Sequence, residues 1–330
     1  MKRIDAYWYS QNPIAWLLLP VASLYCLLIL IRQIFYRTGI FKSFRLSVPV
    51  IIVGNITVGG TGKTPLLIAL CELLKSQGYK PGVISRGYGG DFEGEYLIRE
   101  TDRADVIGDE PCLIYARTNC PMVVGRNRVA AAELLLTSSD CDVILSDDGL
   151  QHYRLQRDIE IAIVDKGRQF GNGFCLPSGP LREPVARLSQ VDIVVDHFSA
   201  KSADIRDDNF SLKFSDVVNL NTNESKQFDS FKGKQVHAVA GIGHPKRFFD
   251  QLRRTGLEVI EHEQPDHHKY SVDDFCFNDS LDILMTEKDA VKCQNFSADN
   301  FWYVPVSAEL SNSFCQKLLS KLRQHSGSKA

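Results

Sequence analysis

The stretch from Val50 to Thr64 constrains the fold more than any other part of this chain. Val50-Ile51-Ile52-Val53 is a short, unbroken apolar run, the pattern of a parallel strand covered on both faces. It passes directly into Gly54-Asn55-Ile56-Thr57-Val58-Gly59-Gly60-Thr61-Gly62-Lys63-Thr64, after which Leu67, Leu70, Leu73 and Leu74 recur at helical spacing. Strand, glycine loop and helix in that order form the setting of a phosphate-binding loop. They commit the surrounding chain to an α/β architecture built on a parallel sheet.

The residue types explain the chemistry. Gly59, Gly60 and Gly62 have no Cβ, so backbone N–H groups can converge on phosphate oxygens. The helix that follows adds its positive N-terminal end. Lys63 is expected beside the β- and γ-phosphates of ATP, and the Thr64 hydroxyl on Mg2+. Thr57, Val58 and Thr61 complete the loop. Thr57 stands where G-x-x-x-x-G-K-[ST] has its first glycine. The cluster G-G-T-G-K-T resembles the loops of partitioning-type ATPases, but Val58 replaces their additional lysine.

Such a loop needs an acidic partner for the metal. Val143-Ile144-Leu145-Ser146-Asp147-Asp148-Gly149 supplies an apolar strand ending in two carboxylates. At the carboxyl end of a parallel strand they would lie beside the loop, and Asp147 is the residue expected to hold magnesium. Read alone, two Asp before Gly also make an ordinary turn.

Other polar clusters follow strand-like runs: Arg86-Gly87-Tyr88, Arg126-Asn127-Arg128, Gln151-His152 and Leu181-Arg182-Glu183-Pro184. In a parallel sheet such positions face the crevice where ligands bind. Gly108-Asp109-Glu110-Pro111 opens a helix, with Pro111 suited to the first turn; by itself Asp109 reads as an N-cap. His267 and His268, in a polar loop, read alone as surface residues.

Upstream, Ile14 to Ile31 is a run of 18 residues without a charge. As a helix it would extend about 27 Å, just short of a bilayer core. Lys2 and Arg3 precede it; Arg32, Arg37, Lys42 and Arg45 follow. Three readings stand: an in-plane anchor, a true span weakened by Pro20, and a buried core helix. In the first two, the basic residues favour a cytoplasmic body.

Charge excludes one function class: 38 basic against 40 acidic residues give a net charge of −2, whereas nucleic-acid binding wants a basic excess. The nine cysteines are odd in number and contain no C-x-x-C pair, so reduced thiols are expected rather than a disulfide framework or a zinc site.

The second half begins with DIVVD at 192–196 as a late strand of the first domain. A new βαβ pattern opens at Val236, with strands near 257–260, 283–285 and 302–304. The expected division is a membrane-associated segment at 1–45, a P-loop NTPase-like domain at 46–198, a connection at 199–233 and a smaller α/β domain at 234–330.

Taken together, GNITVGGTGKTP, SRGYGG, GDEP, DDGLQH, GPLREP, AGIGHPKRFF, PDHHKY and TEKDAVK resemble the tetraacyldisaccharide 4′-kinase family, the lipid A 4′-kinases of Gram-negative bacteria. The resemblance implies an enzyme at the cytoplasmic face of the bacterial inner membrane, using ATP and Mg2+, and implies no obligatory protein partner. It implies transfer of the γ-phosphoryl group to the 4′-hydroxyl of a tetraacylated glucosamine disaccharide 1-phosphate, the lipid A precursor, giving lipid IVA. Two α/β/α domains with the active site between them are implied as well.

On the matching positions, the family implies Asp109 as general base with His267 pairing to it from the second domain. It implies Glu110 and Asp147 in the magnesium shell. Asp148, Gln151 and His152 would lie near the reacting phosphate or sugar, and Arg86, Tyr88, Arg128, Arg182 and Glu183 would line the nucleotide and disaccharide sites. Two residues depart from the family pattern: His244, where asparagine is usual, and Leu150, where an aromatic is common. The competing reading is a membrane-associated ATPase switch of the partitioning type.

Overall fold

The computed structural model describes residues 5–10, 12–198, 206–294 and 298–326. Lys2, Arg3 and residues 199–205 of the expected connection lie outside them.

The helices are α1 (Asp5–Trp8), α2 (Pro13–Leu17), α3 (Leu19–Arg37), α4 (Lys63–Ser76), α5 (Ala104–Ile107), α6 (Asp109–Thr118), α7 (Arg128–Ser138), α8 (Pro245–Arg254), α9 (Glu287–Cys293) and α10 (Asn312–Ser326). The strands are β1 (Val50–Gly54), β2 (Pro81–Ser85), β3 (Glu95–Leu97), β4 (Met122–Gly125), β5 (Val143–Asp147), β6 (Ile159–Asp165), β7 (Ile193–Phe198), β8 (Asn209–Phe214), β9 (Val217–Asn219), β10 (Ser225–Lys226), β11 (Gln235–Ala240), β12 (Glu258–Glu263), β13 (Asp282–Thr286), β14 (Phe301–Val304) and β15 (Val306–Leu310).

The larger sheet has nine strands in the order β15-β8-β7-β6-β1-β5-β2-β4-β3. Its interior pairings are parallel, and β3 and β15 close the edges antiparallel. β1 is wholly buried because helices cover both faces. Ile51 and Val53 point into a core with Leu66, Leu67, Leu70 and Leu74 of α4. Val50 and Ile52 point the other way, onto Val129, Ala132 and Leu135 of α7. The period of two along the strand thus serves two separate cores.

The smaller sheet runs β10-β9-β14-β13-β11-β12. β14, β13, β11 and β12 are parallel, and β9 and β10 extend the sheet antiparallel beyond β14. Phe248, Phe249 and Leu252 of α8 pack on one face with Val236, Ala238, Leu284 and Trp302.

The chain crosses the expected boundaries twice. β8, from the stretch read as connection, pairs parallel with β7 of the larger sheet. β15, from the stretch read as second domain, pairs antiparallel with β8. α10 follows it back, burying Phe314, Leu318 and Leu322 in the core below β1. The reason is pairing: the edge of β7 offers an unpaired ladder that β8 and β15 complete.

The apolar run near the N-terminus forms two helices broken at Leu18, with Pro20 in the first turn of α3. There Pro costs no hydrogen bond. α3 is long and apolar enough to cross a membrane by length and composition. One side docks on the larger lobe: Ala22 is buried, the Tyr25 hydroxyl donates to the Arg182 carbonyl at 3.0 Å, and Gln33 Nε2 donates to Glu183 at 3.1 Å. The other side carries Val21, Leu24, Leu27, Leu28 and Ile31 into solvent, Leu28 at 58% exposure. A buried core helix would hide these residues, so that reading fails.

Candidate active site

β1 and β5 run parallel with Val53 level with Asp147, so the glycine loop and the paired carboxylates leave the sheet side by side. Gly62 adopts φ +87 as it caps α4, a left-handed conformation that favours glycine. The loop is held from beneath: Val58 N donates to the Pro180 carbonyl at 2.8 Å, and Arg182 N to that of Ile56 at 2.7 Å. Asn55 Nδ2 donates to the Thr61 hydroxyl at 3.1 Å. Gly60 has open space where a side chain would be.

Lys63 opens α4 with its ammonium 3.7 Å from Asp148. Arg182 donates to the same carboxylate at 2.8 and 3.1 Å. Burial pushes the Asp148 carboxyl up, but Lys63 and Arg182 outweigh it and hold it down at about 2. Asp148 therefore stays ionised beside the Lys63 ammonium.

Asp147 is buried, and its Oδ2 accepts from the Ser85 hydroxyl at 3.0 Å. Burial pushes its carboxyl up, and Glu110 and Asp148 add to that. Its Oδ1 is buried without a hydrogen-bond partner. An orphaned carboxylate oxygen beside a phosphate loop fits a hard divalent cation. Among the described residues no three His, Cys, Asp or Glu side chains form a metal-binding group. Magnesium here would therefore take most of its ligands from phosphate and water.

Asp109 arrives from the other side. It is the first residue of α6, one past the N-cap, which is Gly108. Gly108 is needed because a Cβ there would come within 2.6 Å of the Tyr88 carbonyl oxygen. Asp109 is 5% exposed. His267 Nδ1 contacts its Oδ2 at 2.9 Å and its Oδ1 at 3.1 Å. Burial pushes the Asp109 carboxyl up; the bond from His267 and the charges of Lys288 and His267 overcome this and leave it below its ordinary value. His267 is raised, chiefly by that same bond. His267 also sits at φ +60, an uncommon backbone for a non-glycine residue.

The surface reading of His267 is thereby replaced: its partner lies 158 positions away, beyond any local spacing signal. His268 pairs instead with Asp274 at 3.2 Å.

Lys288 had no role assigned from sequence. Its ammonium lies 3.0 Å from Glu110, 3.5 Å from Asp266 and 3.7 Å from Asp109. Burial alone would push it down, but the three carboxylates drive it up. Glu110, expected in the magnesium shell, thus pairs with this lysine. Next to it Glu287 accepts from Arg117 Nη1 through both its oxygens at 2.8 and 2.9 Å, tying α9 to α6.

The expected substrate residues divide into two groups. Arg86 and Tyr88 are exposed in the loop after β2, the Tyr88 ring 5.0 Å from His267. His152 is kept neutral, pushed down to about 4 by burial and by Arg128. Arg128 and Glu183 face inward. Arg128 donates to the carbonyls of Gly125 and Asp147 at 2.6 and 3.2 Å. Glu183 accepts from Gln151 at 3.0 Å, from Gln33 of α3 and from the Tyr153 hydroxyl. These two brace the site and the N-terminal helix.

A family model described as tetraacyldisaccharide-1-P 4′-kinase matches residues 14–323. The chain belongs to this family. Tetraacyldisaccharide 4′-kinases of similar sequence include that of Nitrosococcus oceani, 47% identical over 96% of this chain and 94% of that one. That of Shewanella oneidensis is 46% identical over 99% and 97%. The crystal structure of LpxK from Aquifex aeolicus in complex with ATP is similar with a TM-score of 0.78 and 29% identity, covering 94% of this chain and 99% of that one. Membership in the 4′-kinase family disfavours the partitioning-type switch, in keeping with Val58. The α/β class, with its parallel sheets, is shared with that solved structure.

Proposed function

We propose that this 4′-kinase family member transfers the γ-phosphoryl group of ATP to the 4′-hydroxyl of a tetraacylated glucosamine disaccharide 1-phosphate, giving lipid IVA. The observation that carries the reading is the pairing of Asp109 with His267 across the two lobes; His267 lies in a loop whose Asp266 neighbours Gly243, beside Gly60 of the glycine loop. Phosphoryl transfer leaves the protein mostly positioning and charge stabilisation. The loop amides from Gly59 to Thr64 grip the triphosphate, and Lys63 neutralises its outer charge. Thr64 and Asp147, with Glu110 nearby, would hold Mg2+, which when bound offsets charge on the β- and γ-phosphates.

Asp109 accepts the hydroxyl proton as the new O–P bond forms. A carboxylate held below its ordinary value is a weak base, which suits a loose transition state in which the proton leaves late. His267 orients that carboxylate. Because the two residues belong to different lobes, the base is fully assembled only when the lobes meet, which limits transfer to water.

The lipid arrives from a surface. α3 lies against the larger lobe with an apolar stripe outward and Arg32, Arg37 and Lys42 after it, so it serves as an in-plane anchor at the cytoplasmic face of the inner membrane. From there the site reaches the disaccharide while the acyl chains stay in the bilayer. No nucleic acid or obligatory protein partner is involved.

Incubation with γ-labelled ATP and the tetraacyl disaccharide 1-phosphate in mixed micelles tests this. Label is expected in the lipid fraction. Labelled free phosphate without labelled lipid would show an ATPase instead.

A further inference from the structure

Arg168 belongs to none of the roles above, yet it reaches the phosphate loop. It sits in the turn after β6, which Asp165 organises by accepting from Gly167 N at 2.9 Å. One Nη of its guanidinium donates to the Tyr9 hydroxyl, and its Cζ lies 4.6 Å from the centre of that ring. The other contacts His244 Nε2. Burial pushes His244 down to about 4, with Arg168 and Arg247 adding to this. The ring is therefore neutral, and Nε2 accepts from the arginine.

The guanidinium also fills the space beside Gly59. A Cβ at Gly59 would stand 3.0 and 3.2 Å from its two terminal nitrogens, on a backbone at φ +103. On the same side, Gly243 of the second lobe packs against the loop, its would-be Cβ 3.4 Å from Gly60 N. Three distant parts of the chain thus meet at one arginine: the N-terminal segment, the phosphate loop and the loop after β11. Among the described residues Arg168 forms no ion pair. A half-buried cation with only neutral acceptors, against a loop built for phosphate, lacks its counter-charge until an anion arrives.

We infer that Arg168 is a positioning residue for the nucleotide: braced by Tyr9 and His244 against Gly59, it sets the phosphate loop and supplies positive charge to the bound triphosphate. The inference rests on the reading that this loop holds ATP. It has a consequence unusual for a segment assigned to lipid: Tyr9 contributes to ATP affinity.

The test is calorimetric titration of the full-length protein in detergent micelles with MgATP, without lipid substrate, beside thermal midpoints and steady-state kinetics. Arg168→Met should weaken ATP binding by about tenfold or more, the scale of a lost charge-assisted hydrogen bond. KM for ATP should rise in parallel and KM for lipid should stay within about twofold. Arg168→Lys should recover part of the affinity, since it keeps the charge and loses the fork. Tyr9→Ala should weaken ATP binding by roughly threefold. ATP binding by Arg168→Met within twofold of wild type overturns the inference. So does equal loss in Met and Lys variants with a fallen thermal midpoint, which marks a purely structural role. If wild type binds no ATP, the kinase reading itself fails and this inference with it.

Discussion

His267 Nδ1 meets Asp109 Oδ2 at 2.9 Å across the gap between the two lobes. One residue comes from a loop after β12, the other from the first turn of α6, and Lys288 of α9 stands 3.7 Å from the same carboxylate. The second lobe therefore sets the charge of a residue that belongs to the first.

The histidine should report this contact directly. The bond from Asp109 raises its imidazole above the ordinary value, against burial and Lys288. In an NMR titration of the apo protein, the His267 ring should titrate above about 6.5. In Asp109→Asn it should move down. The sign for stability follows: a histidine raised on folding stabilises fully below its unfolded pKa, and that contribution fades as pH rises through the folded value. Interlobe contact through this pair should therefore weaken as pH rises through the raised His267 value. An unshifted His267 in both proteins would contradict the contact.

Lys288 is the second lever. Its removal leaves Glu110, Asp266 and Asp109 close together without their shared lysine. Lys288→Met should lower kcat by about tenfold or more and reduce the thermal midpoint, because breaking a buried charge pair leaves an uncompensated group. Steady-state kinetics and a melting curve suffice. Unchanged values for both would mean that the cluster is dispensable.

The exposed stripe of α3 makes a separate prediction. Leu24 and Leu28 are 57% and 58% exposed. The double variant Leu24→Glu with Leu28→Glu places two charges on the face assigned to lipid. The fraction sedimenting with anionic vesicles should fall about fivefold or more, and KM for ATP should stay within about twofold. Equal sedimentation would remove the anchor role from this face.

Legibility in the sequence followed the range of the interactions. β1, the glycine loop and α4 occupy consecutive residues, and their apolar pattern and glycines specify them locally. The carboxylates at 147 and 148 could be joined to the loop because parallel strands put their carboxyl ends together. β8 and β15 could not be assigned, since short, half-buried strands at a sheet edge take their identity from the neighbour they pair with. Pro20 was read as weakening one helix, whereas the chain uses it to begin another. Lys288 and Arg168 had no local signature: each acquires its role only where segments more than 70 positions apart converge. A lysine near a helix start and an arginine in a turn are otherwise ordinary surface residues. His244, noted only as a departure from the family pattern, proved to be the acceptor for Arg168.

The account depends on Asp109 taking the acceptor's proton. The most direct measurement is phosphoryl transfer to the tetraacyl disaccharide 1-phosphate by Asp109→Asn, with 31P NMR of the wild-type product and ATP affinity measured on both proteins. The wild type should add one phosphate at the 4′ position. The variant should bind ATP within about twofold of wild type and turn over more than about a hundredfold more slowly. Turnover near the wild-type rate in Asp109→Asn, or phosphate found at another position, would contradict it.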